Sequence, residues 1–168
     1  RFRFLRSFMI GVLLLVAAVY GLCWWGADVL LHPPAMSPMS VLPEQFGLAY
    51  EKIAFATRDG LKLKGWFLTS PSGDKRTIVM CHGWGDNNGE LLKKTYFLNA
   101  SGGVNLLYFD FRSHGESDGT ITTSGGLETI DFDAAIEWLS ESKPELAGSA
   151  GVFGLSMGAT VAVASMPK

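Results

Sequence analysis

The sequence contains little charge, and neither sign is in clear excess. Its 168 residues include 14 Lys and Arg against 16 Asp and Glu, which gives a formal net charge of −2. No basic stripe follows the first six residues, so nucleic acid is not expected as a partner. Histidine is equally scarce. His32, His82 and His114 show no ligand spacing, so the sequence predicts no metal site.

Cysteine is rare as well, and the sequence has no internal repeat and no low-complexity tract. Cys23 lies inside a long apolar run and Cys81 ends a strand that looks buried, so we expect two small hydrophobic residues without a disulfide. The chain begins with Arg rather than Met and stops just after a helix starts. We therefore expect it to be a piece of a longer protein, with one domain of ordinary size.

One long stretch has no charge at all. Phe8–Ala27 is a run of 20 residues, and a helix of that length spans roughly 30 Å, the thickness of a bilayer core. Three arginines precede the run and the next basic residue is Lys52, which predicts a cytoplasmic N-terminus and an extracytoplasmic domain. Trp24 and Trp25 suit a membrane interface, so 1–31 is interpreted as a basic tip and a single transmembrane anchor. A cleaved signal peptide and a buried helix of a soluble protein are the alternatives.

The next residues indicate a linker followed by a hairpin. Residues 32–49 hold four of the seven prolines and show no periodicity, which predicts an extended linker. Tyr50–Thr57 and Leu61–Ser70 alternate between apolar and polar residues on either side of Asp59-Gly60. This pattern is typical of an antiparallel hairpin with one covered face.

The remaining pattern predicts an α/β domain over residues 50–168. Thr77–Cys81, Val104–Phe109 and Ala150–Phe153 are continuously apolar apart from Thr77 and Asn105, as parallel strands covered on both faces are. Helical patterns occupy 88–101 and 124–141, and a further one follows the last strand. The order is a hairpin and then β-α-β-α-β-α.

The turn Gly154-Leu155-Ser156-Met157-Gly158 joins the last strand to its helix. Side chains two positions before and after the serine would collide at such a sharp bend, which explains glycine at both positions. The bend lifts the Ser156 hydroxyl clear of the sheet and aims the Met157 N–H, at a helix N-terminus, towards an oxyanion. In a chain with 20 glycines this motif alone is weak, so its context decides.

The loop His82-Gly83-Trp84-Gly85 supplies part of that context. It follows the first parallel strand, and its glycines allow a tight turn that brings backbone N–H groups close to a bound carbonyl oxygen. The Trp84 N–H is therefore the expected second oxyanion donor.

With two more motifs, these features resemble the N-terminal half of a serine α/β-hydrolase. The likeness is to membrane-anchored bacterial members with serine aminopeptidase-like or esterase/lipase-like domains, and it covers about residues 50 to 168. The further motifs are Arg58-Asp59-Gly60 followed by Leu63 and Gly65-Trp66, and the stretch from Asp110 to Ser117. The resemblance implies the N-terminal portion of the α/β-hydrolase fold.

The resemblance also assigns roles to residues. It implies Ser156 as nucleophile and the Trp84 and Met157 N–H groups as oxyanion donors. It implies supporting roles for His82, Gly83, Gly85, Gly154 and Gly158. Asp110, Arg112 and Ser117 match a loop that is mostly structural in the family.

The sequence departs from the family at the catalytic triad, which in this fold runs Ser, then Asp or Glu, then His. No acid and no histidine follow Ser156, so we expect both beyond residue 168 and expect the segment to be inactive. His82 and His114 could stand in as bases only from loops of earlier strands.

Three functions compete on this evidence. The first is hydrolysis of an ester, thioester or amide through an acyl-enzyme on Ser156, or the related acyl transfer, with a small-molecule or lipid-like acyl substrate. The second is an inactive hydrolase fold that serves as a binding module on the membrane. The third is a dinucleotide-binding oxidoreductase that uses Gly83-x-Gly85-x-x-x-Gly89 and Asp110. The first two need no cofactor.

Overall fold

The computed structural model describes residues 1–33, 41–148 and 150–166. A five-stranded sheet in the order β1-β2-β4-β3-β5 forms its centre. The strands are β1 (Glu51–Ala56), β2 (Lys62–Leu68), β3 (Thr77–Cys81), β4 (Asn105–Phe109) and β5 (Ala150–Gly154). The helices are α1 (Phe2–Leu31), α2 (Asn88–Thr95), α3 (Phe97–Ala100), α4 (Glu128–Ser142), α5 (Pro144–Ala147) and α6 (Met157–Ser165), with a 3₁₀ helix at Pro43–Phe46.

The pairing of the strands confirms the predicted α/β class. β1 and β2 form the antiparallel hairpin, and β2 is also antiparallel to β4. β3 is parallel to β4 on one side and to β5 on the other. The carboxyl ends of β3, β4 and β5 therefore lie at one edge of the sheet, here called the site edge, together with the amino end of β2.

A hydrophobic core covers each face of the sheet, as the continuously apolar strands predict. Phe67, Leu107 and Phe109 belong to the core under α4 and α6. Leu68, Met80 and Tyr108 point the other way, into the core that includes α2. β3 and β4 are consequently buried almost throughout.

The last strand differs from expectation. In β5 no residue is fully buried, and Phe153 keeps 37% of its surface exposed. Among the described residues β5 has a strand partner only on its β3 side. An apolar cavity of about 470 Å³ lies beside it, lined by residues that include Leu98, Phe153 and Leu155.

Part of the expected linker packs on the domain. Residues 34–40 lie outside the described residues, but Val41 and Pro43 are buried. Phe46 stacks on Tyr96 with ring centroids 4.5 Å apart. Residues 41–49 are therefore not an extended linker, because their apolar side chains complete the core on the α2 face. The division of the chain into domains stays a prediction.

Two helices begin or break differently from the pattern. The helix expected over 88–101 is divided into α2 and α3 at Tyr96, where the Thr95 hydroxyl donates to the Leu91 carbonyl, an arrangement that bends helices. The helix expected from residue 124 starts at Glu128. Ser124 and Gly125 have φ of 54° and 123°, which a helix does not allow.

The N-terminal helix α1 extends over 30 residues and has no buried residue. It is long and apolar enough to cross a membrane, and within the described ranges it is the helix that meets this test. The two cysteines are both free, Cys23 exposed on this helix and Cys81 buried.

Candidate active site

The bend at Ser156 has the strained geometry that its sequence predicts. Ser156 has φ 51° and ψ −115°, a combination that costs a residue with a side chain on the order of 1–3 kcal/mol. A Cβ on Gly154 would lie 2.5 Å from the Ala159 backbone, and one on Gly158 would lie 2.6 Å from the His82 carbonyl oxygen. Glycine at both positions lets α6 start directly against the ends of β3 and β5.

The bend leaves the serine accessible and places it beside the β3–α2 loop. Ser156 is exposed, and a Cβ built on Gly83 would lie 3.7 Å from the Ser156 Cβ. Within the described residues, neither the Trp84 N–H nor the Met157 N–H donates to an intramolecular acceptor. The site edge thus combines an exposed hydroxyl with two main-chain donors that have no acceptor in the part of the chain that the structure describes.

The His82 side chain fixes the β3–α2 loop by bonding to the backbone of Gly83 and Phe111. Its Nε2 accepts the Phe111 N–H at 3.0 Å, so Nδ1 carries the proton and donates to the Gly83 carbonyl at 2.7 Å. Burial, with the neighbouring His114 as a smaller cause, lowers the pKa of His82 to about 3. A neutral, fully bonded ring has no free nitrogen, so His82 is not available as a general base.

His114 holds the loop from the other side in the same way. Its Nε2 accepts the Gly85 N–H at 3.0 Å and its Nδ1 donates to the Arg112 carbonyl at 2.8 Å. Burial lowers its pKa as well. The two imidazoles lie 5.0 Å apart, and together they fix the backbone on either side of Trp84. His114 cannot act as the base either.

Asp110 fixes the start of α2 and is closed to ligands. The carboxylate is fully buried and accepts the Asn88 N–H at 2.8 Å and the Glu116 N–H at 3.0 Å. Burial raises its pKa to about 7, against the effect of these two bonds. A ribose hydroxyl cannot reach this carboxylate, which removes the acid that a dinucleotide site would need. Ser117 contributes to the same loop by donating to the Asp110 carbonyl at 2.6 Å.

Arg112 connects three separated parts of the chain. Its buried guanidinium pairs with Asp59 in the hairpin turn at 2.8 Å and with Asp131 on α4 at 2.7 Å. Its backbone N–H donates to the same Asp131 carboxylate at 2.9 Å. The Arg112 bond is the main cause that lowers the pKa of Asp59. The structural interpretation of the Asp110–Ser117 loop fits all of these contacts.

A second loop beside the serine was missed by the sequence reasoning. The buried carboxylate of Glu128 accepts bonds from the Thr122 hydroxyl, the Thr123 N–H and hydroxyl, and the Gly125 N–H, at 2.7–2.9 Å. The Thr122 hydroxyl also lies 3.7 Å from the Met157 Sδ. The run of Thr, Ser and Gly before an acid is the signal that could have indicated this loop.

The end of α1 contacts both loops. The Trp84 indole N–H donates to the Leu30 carbonyl at 3.0 Å, and the Thr122 N–H donates to the Leu31 carbonyl at 2.8 Å. These two bonds join the last turn of α1 to the site edge.

The comparisons with known proteins agree with this geometry. The profile of the X-Pro dipeptidyl-peptidase (S15) family matches residues 59–168. The Mycobacterium tuberculosis protein MT2364 is 31% identical over 159 residues, which are 90% of this chain and 53% of MT2364. The chain spans about half the length of such relatives.

Two further proteins add to this result. The esterase Pf2001 of Pyrococcus furiosus superimposes with a TM-score of 0.73 at 33% identity, over 81% of this chain and 52% of the esterase. A membrane protein of Saccharomyces cerevisiae, YNL320W, is 25% identical over 116 residues, which cover 69% of this chain and 40% of that protein.

Proposed function

Because the chain belongs to the X-Pro dipeptidyl-peptidase (S15) family of serine α/β-hydrolases, we propose that it cleaves an ester, thioester or amide through an acyl-enzyme on Ser156. The observation that carries the proposal is the exposed Ser156 on its strained bend, next to two backbone N–H groups that lack an acceptor among the described residues. The esterase Pf2001, with its similar fold, supports acyl chemistry in general terms.

The proposed reaction follows from these groups. The Ser156 Oγ attacks the substrate carbonyl carbon while a base takes its proton, and the carbonyl oxygen gains the negative charge. The Trp84 and Met157 N–H groups stabilise that charge, and each such donor is typically worth about 10²–10³ in rate. The base then gives its proton to the leaving alkoxide, thiolate or amine as the carbon–heteroatom bond breaks. In the second half of the cycle the same base deprotonates water, which attacks the acyl-enzyme, releases the carboxylic acid and returns the proton to Ser156.

The general base is proposed to come from outside residues 1–168. His82 and His114 use both ring nitrogens in backbone bonds, and the relatives are about twice as long as this chain. The 168-residue chain alone is therefore expected to leave Ser156 unactivated, since nucleophile and base together supply about 10⁶ in turnover.

A fluorophosphonate probe tests the assignment of Ser156. The protein expressed from its whole gene should form a covalent adduct on Ser156, and the 168-residue chain should label far more slowly. The Ser165→Ala variant, which changes a serine at the far end of α6, is the matched control and should label normally. If Ser156→Ala in the longer protein still labelled at the parental rate, the nucleophile would lie elsewhere.

We further propose that α1 anchors the protein in a membrane with the domain on the extracytoplasmic side. Support comes from the apolar length of α1, from the three arginines before it, and from the relative YNL320W, which is named a membrane protein.

One observation favours a second function, an inactive hydrolase fold that binds a partner at the membrane. Within the described ranges, both histidines of the domain have structural bonds at each ring nitrogen. Absence of fluorophosphonate labelling in the protein expressed from its whole gene, with ligand-dependent thermal stabilisation, would support this alternative.

A further inference from the structure

The cations of the domain are unevenly distributed. Five of them are held in ion pairs, namely Arg76, Lys93, Lys94, Arg112 and Lys143. Within the described residues of the domain, the cations without an ion-pair partner are Lys52, Arg58, Lys62, Lys64 and Lys75. Four of these five belong to the β1–β2 hairpin, and all four are exposed.

Three of the hairpin cations share one surface, here called the lysine face. Lys64 lies opposite Ala54 in the register and Lys62 lies opposite Ala56, so both project on the same side of the hairpin as Lys52. The three lysines line a shallow cavity of about 300 Å³, and Glu116 is the acidic residue in its lining. Three lysines against one carboxylate leave the lining of this cavity with a net positive charge, which predicts an anionic partner.

Two lysines of the lysine face, Lys62 and Lys64, lie at the site edge, whereas Lys52 lies opposite Trp66, further along the hairpin. The Lys64 carbonyl accepts the Asp110 N–H at 2.9 Å and the Lys62 carbonyl accepts the Asp118 N–H at 3.0 Å. Both acceptors are thus next to the loop that follows β4, at the same end of the sheet as Ser156.

The end of α1 is bonded to that same edge through Trp84 and Thr122. From Trp25, which suits the membrane interface, to Leu31 the helix rises about 9 Å. The Debye length at physiological ionic strength is about 8 Å. If α1 spans a bilayer, the site edge lies close enough for the headgroup charge to act on it.

We propose that the lysine face binds anionic phospholipid headgroups and holds the site edge against the bilayer from which α1 emerges. This inference rests on the proposed membrane anchor but not on the chemistry of Ser156. A bilayer is favoured over a soluble anion because Lys62, Lys64 and the end of the apolar helix all lie at the site edge. Combined with the acyl chemistry proposed for Ser156, headgroup binding would make the substrate an acyl compound resident in that leaflet.

Residue-resolved acetylation of lysine amines tests the proposal without mutation. The full chain is inserted into nanodiscs of phosphatidylcholine alone or with about a third phosphatidylglycerol and treated with a neutral N-hydroxysuccinimide ester of acetate. One lysine at an anionic surface is worth about a fivefold change in binding. Lys62 and Lys64 should therefore react about fivefold more slowly in the anionic discs. Lys75, an exposed cation before β3 at the opposite edge, should react equally in both.

Two further conditions of the acetylation experiment test whether lysine charge causes the protection. Ionic strength of about 1 M, at which the Debye length is about 3 Å, should abolish the difference. Lys64→Glu should restore the reactivity of Lys62, and Lys75→Glu, with the same change of charge, should not.

Three outcomes would overturn the proposal. Equal reactivity of Lys62, Lys64 and Lys75 in both discs would refute it directly. Protection by free inorganic phosphate over phosphatidylcholine discs would indicate a soluble anion. A chain that does not enter discs at all would refute the anchor as well. A Ser156→Ala chain should behave as the parent does, so failure of the proposed hydrolysis would leave this result unchanged.

Discussion

At the scale of single residues, Gly158 makes the most demanding contact of the bend. Gly158→Ala places a Cβ against the Cys81 and His82 carbonyl oxygens, and overpacking of this kind costs about 1–3 kcal/mol. We expect the free energy of unfolding in urea to fall by that amount. Gly148→Ala is the matched control, because nothing lies within 4 Å of its Cβ position and its φ is −67°. Equal effects of the two substitutions would contradict the tight bend.

His82 supports a prediction about protonation. Its bonds require the neutral ring with the proton on Nδ1, and burial lowers its pKa to about 3. The ¹⁵N shifts of His82 should therefore stay those of the neutral Nδ1–H tautomer between about pH 5 and 8, whereas an unperturbed histidine titrates near 6.5. A transition near neutral pH would contradict the structural role of the ring.

The sign of the linked stability follows from the same pKa. Because the folded pKa of His82 is below the unfolded value, its contribution is complete above about pH 6.5. It is lost as the pH falls towards 3, by about 1.4 kcal/mol per unit. Asp110 has the opposite effect, because its pKa is raised to about 7. Its contribution to the free energy of unfolding falls as the pH rises from about 4 to 7. The ring shifts of His82 therefore test this histidine more directly than a global unfolding curve.

At the scale of elements, Arg112 holds the hairpin, the β4 loop and α4 together. Arg112→Met leaves Asp131 buried without its partner, and loss of one member of a buried pair costs about 3–5 kcal/mol. We expect that loss in urea unfolding, with partial recovery in Arg112→Met/Asp131→Asn. Arg76→Met, which breaks the exposed pair with Asp74, should lower the free energy of unfolding far less, because water screens an exposed ion pair. A similar cost for both arginines would remove the special role of Arg112.

The elements that the sequence predicts are those with a local cause. Continuous apolar runs identify β3 and β4, and Asp59-Gly60 identifies the hairpin, because burial and turn geometry act over a few residues. The bend at Ser156 can be predicted from the sequence for the same reason, because the two glycines that it requires, Gly154 and Gly158, are only two positions from the serine.

The features that the sequence did not reveal depend on distant partners. Arg112 pairs with residues 53 and 19 positions away, and no local pattern specifies either pair. Residues 41–49 carry one proline, Pro43, and show no periodicity, so no local pattern indicates that they pack on the α2 face. The exposure of β5 depends on whether a further strand or helix covers its free edge. The apolar run Ala150–Phe153 carries no information about such a neighbour.

At the scale of the whole molecule, the orientation of the anchor can be tested in a bacterial host. Three arginines precede α1, and the next basic residue is Lys52, so the N-terminus should stay in the cytoplasm. In spheroplasts, added protease should cleave a C-terminal tag and spare an N-terminal one. Replacing the three arginines with glutamate should reduce this asymmetry, whereas Lys75→Glu should not. Cleavage of the N-terminal tag alone would reverse the proposed topology.

Trp84 is bonded to α1 through its indole N–H, and its backbone follows Gly83, which lies beside Ser156. A helix that is too long for its bilayer tilts, and for an anchored protein the indole bond to Leu30 would transmit that tilt to the Trp84 amide, the proposed oxyanion donor. The turnover rate would then depend on the acyl-chain length of the host lipid. Turnover rates measured in detergent micelles and in bilayers of native thickness are expected to differ.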